Sequence, residues 1–167
     1  MRVLHVIAAA LCLSLAGCGG GGGKVYPKSV AYMHEALSDV DELPPVFGSS
    51  APSLSMDTSD ASSVTWIVNL QGAEIMRFVG RLQAEGEKST RLQLDLIGVT
   101  SGAKGNVQER LDQHPELRRL YLVAMTEQIE SKLEERPFDI TKTYGALARA
   151  AATNMGAIGG GSRGARN

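Results

Sequence analysis

Three successive stretches between Val64 and Gly98 alternate apolar with polar residues, and this period of two restricts the fold more than any other pattern in the chain. VTWIVNL puts Val64, Trp66, Val68 and Leu70 on one side. AEIMRFVGRLQ puts Met76, Phe78 and Leu82 on one side, and TRLQLDLIG does the same with Leu92, Leu94 and Leu96. Each stretch therefore predicts a strand buried on one face only, and the short connections between them predict an antiparallel meander. Gly72 suits the left-handed last position of a three-residue loop, Leu70-Gln71-Gly72. That loop would set Trp66 opposite Met76 and Val64 opposite Phe78. A turn at Glu85-Gly86-Glu87 would likewise set Phe78 opposite Leu94 and Met76 opposite Leu96. With Leu54 and Met56 on an earlier strand, the expectation is a small sheet of about four strands in an α+β fold.

The other face of that sheet is mixed. The same register aligns Arg77 with Asp95 and lines up Ile67, Ile75 and Ile97 in an apolar stripe, with Arg81 and Arg91 nearby. Two readings follow. Either residues 142–155 cover the stripe, or Ile67, Ile75, Arg77 and Ile97 form a patch for a protein partner or a membrane surface.

The helical signals flank the strands. Ser29 to Val40 space Val30, Met33, Leu37 and Val40 for a short amphipathic helix, with Ser29 placed to cap it. Residues 41–53, rich in Pro and Ser, predict an irregular connection pinned by Phe47. After a glycine-rich loop at 98–105, Pro115 suits the first turn of a helix. Leu117, Leu120, Tyr121, Ala124, Met125, Ile129 and Leu133 then form an apolar stripe that predicts a long helix across the sheet, ended by Pro137. In that stretch Glu127, with Glu130 or Glu134, reads as solvated charge. Residues 142–155 predict an alanine-rich helix, and residues 156–167 a disordered glycine-rich tail.

The chain opens with Arg2, a nearly uncharged run from Leu4 to Leu15, and the small residues Ala16 and Gly17. That run is roughly 12 residues, short of the ~20 that span a bilayer, so residues 1–17 read as a signal peptide. The junction Leu15-Ala16-Gly17-Cys18 resembles the lipobox of bacterial lipoproteins. The resemblance implies a diacylglyceryl thioether on Cys18, cleavage before it, and an envelope location, with Gly19 in place of Asp pointing to the outer membrane and a domain facing the periplasm. Two acyl chains hold stably where one does not, at ~0.8 kcal/mol per buried methylene. Residues 18–23 then form a lipidated, glycine-rich tether with a typical reach of about 12 Å, leading into one domain at 24–155. The membrane lipid is the expected partner, joined by an envelope protein. A formal net charge of −1 with no basic tract argues against nucleic acid.

Groups that do chemistry are sparse. Once the leader is removed, His34 and His114 are the remaining histidines and Cys18 the sole cysteine, so no metal set, cofactor site or catalytic constellation emerges. Ser101, Gly102 and Lys104 lack phosphate-loop spacing. The order of VYPKSVAYMHEAL, AEIMRFVGRLQ, STRLQLDLIG and PELRRLYLVAMTEQIESKL resembles the helix-grip arrangement of the START and polyketide-cyclase superfamily. The resemblance implies a cavity for a hydrophobic ligand, lined here by Trp66, Met76, Phe78, Tyr121 and Met125. Residues at these spacings also make an ordinary core. The first expectation is a non-enzymatic envelope lipoprotein. A carrier or sensor of an apolar ligand comes second, and an enzyme with His34 or His114 as base third.

Overall fold

A computed structural model of the protein describes residues 22–47, 52–102 and 105–159. Residues 1–17, expected to be a signal peptide, and residues 18–21 of the expected tether, Cys18 among them, lie outside the described residues. The fold is α+β. Among the described residues it has five strands, β1 (Lys24–Tyr26), β2 (Ser53–Asp57), β3 (Ser63–Leu70), β4 (Ala73–Gly86) and β5 (Ser89–Gly98). Four α-helices accompany them: α1 (Val30–Ser38), α2 (Val107–Gln113), α3 (Pro115–Leu133) and α4 (Tyr144–Gly159). The sheet is antiparallel in the order β1-β5-β4-β3-β2. β2 to β5 form the expected meander. The additional strand is β1, three residues that pair with β5 at Thr90, Arg91 and Leu92.

The register differs from the expectation by two residues at both hairpins. Gln71 (φ 56°) and Gly72 (φ 80°) both adopt left-handed conformations, which makes a tight two-residue turn between Leu70 and Ala73. A bulge then follows at Val68/Asn69, so Trp66 faces Phe78 and Val68 faces Met76. At the next hairpin Glu87-Lys88 is the turn and a second bulge lies between Ala84 and Gly86, setting Phe78 opposite Leu96. A slip of two leaves the paired side chains on their expected faces, the bulge residue Ile75 excepted, whereas a slip of one would have inverted them all. Val64, Trp66, Val68, Met76, Phe78, Leu82, Leu92 and Leu96 are accordingly all buried.

α1 lies against β3 and β4, and α3 against β5 and α1. The Ser29 hydroxyl accepts from the Tyr32 amide (3.3 Å), capping α1 and presenting Met33 and Leu37 to the sheet. Trp66 Nε1 donates to the Val40 carbonyl (3.1 Å), and the indole ring occupies the space that a side chain at Gly80 would need. Gly98 is a close approach of a different kind: a Cβ there would sit 2.5 Å from the Gln108 backbone nitrogen where α2 crosses the end of β5.

α3 buries two sides. Met125 and Ile129 join the main core, while Leu120 packs with Ala146 and Ala150 of α4. The helix ends at Leu133, before Pro137, through Glu134 and a left-handed Glu135 (φ 51°). α4 runs to Gly159, so residues 156–159 of the expected disordered tail continue the helix, while residues 160–167 lie outside the described residues.

Candidate functional site

Lys24 opens β1 directly after the run of five glycines. The Gly23 carbonyl accepts from Arg91 Nη1 (3.1 Å), fixing the place where the chain enters the domain. Lys24 Nζ bridges to Glu130 Oε1 of α3 (2.6 Å), so the entering strand is tied to the long helix as well as to the sheet edge. The β5 edge beyond β1 is occupied in turn. Arg118 Nη2 donates to the Leu96 carbonyl (2.5 Å), and the Gly98 amide donates to Gln108 Oε1 (2.8 Å). These side chains satisfy backbone groups that a bare edge would offer to another chain.

The five residues expected to line a ligand cavity are brought together, but as core. Trp66, Phe78 and Met125 are fully buried, Met76 nearly so, and Tyr121 packs against the same cluster. Phe47 fills the region between helix and sheet, stacking on Tyr121 at 4.6 Å and meeting Phe78 edge-on at 6.3 Å between ring centroids.

On the opposite sheet face, Ile67, Arg77 and Ile97 stand side by side on three neighbouring strands. Arg77 therefore faces Ile97 where Asp95 was expected; Asp95 faces Val79 and bridges diagonally to Arg81. Arg77 is held instead by Glu74 through two hydrogen bonds (2.8 and 3.0 Å). Ile75 leaves the stripe. It is the extra residue at the bulge, unpaired between Glu74 and Met76, and it packs against the core. The expected cover is absent as well, because α4 packs on the far side of α3 and, among the described residues, leaves this face open, with Ile97 41% exposed.

The two histidines lie on different elements. His34 sits on α1 with a buried Nε2 that lacks a hydrogen-bond partner among the described residues. His114 joins α2 to α3, with Nδ1 3.5 Å from Glu116 Oε1. Among the described residues no group of three His, Cys, Asp or Glu side chains could hold a metal ion. Lys104 lies outside the described residues.

Glu127 is the polar centre that the sequence reading misplaced. It is 2% exposed, not solvated. Its carboxylate accepts from both Arg136 Nη atoms, from the Asp139 amide (3.0 Å) and from Lys142 Nζ (2.7 Å), while Glu130 extends the network to Lys24. Burial works to raise its pKa, yet the bonds from Arg136, Lys142 and Asp139 prevail and hold it down to about 2. With its oxygens so engaged, Glu127 works as an ion-pair hub that clamps residues 136–142 onto α3 and thereby positions α4. One signal was available in the sequence. Leu120, Ala124, Glu127 and Ser131 share one helical face, so an acid there had to be buried with partners. In comparisons with protein-family models, curated proteins and solved structures, none matches the chain.

Proposed function

We propose that the protein is a bacterial envelope lipoprotein, acylated on Cys18, whose α+β domain is a non-enzymatic binding module held close to the outer membrane. The observation that carries this reading is the junction Leu15-Ala16-Gly17-Cys18, followed by five glycines and then at once by β1 at Lys24. A tether of that length has a typical reach of about 12 Å, which holds the domain near its attachment. The open row Ile67, Arg77 and Ile97 supports the further reading that an envelope protein binds the sheet face. Phe47, seated against Phe78 and Tyr121, weighs against the ligand-carrier reading, in which a guest would occupy that space.

The test is metabolic labelling with an alkyne fatty acid in a bacterial host. The wild-type chain is expected to incorporate label and Cys18→Ala to incorporate none. Equal labelling of the two, or none in either, would contradict the assignment.

A further inference from the structure

A groove of about 370 Å³ runs along the side of α3. Its floor is Pro115, Leu122 and Val123, where the main core and the smaller α3–α4 cluster meet, since Leu122 packs on the first and Val123 on the second. Its rim is cationic: Arg118 and Arg119 toward the start of α3, and Lys142 from the turn before α4. The two carboxylates at the groove, Glu127 and Glu130, are already matched by Arg136, Lys142 and Lys24. Arg118 is matched by Asp112. Arg119 is exposed and, among the described residues, has neither an ion-pair nor a hydrogen-bond partner, so the rim carries surplus positive charge. The turn that supplies Lys142 also leaves Ile140 exposed, and Tyr144 and Leu147 follow it with 54% and 44% of their surface in solvent. An apolar floor under an unmatched cation suits an amphiphile with a negative head.

The path of the chain says where such an amphiphile is found. Glu130 lines the groove and also holds Lys24, the residue at which the tether enters the domain. The groove thus opens beside the residue that follows the glycine run. We propose that the α3 groove is a docking site for anionic phospholipid of the membrane that carries the protein, an inference that rests on acylation of Cys18 for its geometry. Docking through α3 would turn the opposite side of the sheet, with Ile67 and Ile97, away from the bilayer and leave it free for a partner.

The experiment uses the acylated protein reconstituted into vesicles of phosphatidylcholine alone, or of phosphatidylcholine mixed with phosphatidylglycerol. An environment-sensitive fluorophore is attached to Thr126→Cys in the groove or, in a second variant, to Ile97→Cys on the open sheet face. The groove label is expected to become shielded from a water-soluble quencher on phosphatidylglycerol vesicles only, and the sheet label to stay accessible on both. Adding Arg119→Ala should lower the docked-to-undocked ratio about fivefold. A groove label equally accessible on both vesicles, shielding unchanged by Arg119→Ala, or shielding of the sheet label instead would overturn the proposal. Flotation with vesicles at high salt reads the anchor separately. A chain that fails to float there, yet whose groove label is shielded on phosphatidylglycerol at low salt, would refute acylation and uphold the groove.

Discussion

Replacing Glu127 by glutamine keeps the shape of the side chain and removes the charge on which Arg136, Lys142 and the Asp139 amide converge. The carboxylate is held from an ordinary 4.5 down to about 2. At 1.36 kcal/mol per pKa unit that displacement corresponds to at most about 3 kcal/mol. Solvent reaching Lys142 and Arg136, whose side chains are 45% and 26% exposed, screens this to about 1–2 kcal/mol. Because the folded-state pKa is depressed, the stabilisation is fully present above the unfolded value and is lost as the pH falls from about 4.5 toward 2. Urea unfolding of wild type and Glu127→Gln across this range reads the effect of the cluster around Glu127, since carboxylates remote from it titrate equally in both. The variant is expected to be about 1–2 kcal/mol less stable at pH 7, and the gap should close toward pH 2. A gap that persists unchanged at pH 2, or is absent at pH 7, would refute the reasoning.

Two further substitutions probe the packing around the sheet. Gly98→Ala drives a methyl to 2.5 Å from the Gln108 backbone and should cost about 1–3 kcal/mol in urea unfolding, as α2 is forced off the end of β5. Ile97→Ser, on the open sheet face, should change stability by no more than about 0.5 kcal/mol, and a loss above about 2 kcal/mol would show that the face is covered in solution.

The core face was legible because side-chain parity survives an even slip. Trp66, Phe78 and Leu96 are buried although neither predicted partner of Phe78 was correct. What parity could not supply was the local twist, which selected two-residue turns with bulges and drew Ile75 out of the outer stripe into the core. β1 was hard to see since three residues are too few for an alternation to register. The placement of α4 depended on the second apolar side of α3, where Leu120 and Ala124 flank the position of Glu127. Assigning Leu120 and Ala124 to a single stripe across the sheet, and Glu127 to solvated charge, hid both the ion-pair hub and the reason the described part of α4 leaves the sheet face open.

The account depends most on the chemistry at Cys18, and the intact mass of the wild-type protein extracted from membranes tests it directly. The predicted mass lacks residues 1–17 and carries diacylglyceryl, with or without a further acyl group, on the new N-terminal cysteine. A mass equal to the uncleaved, unmodified chain would contradict the account.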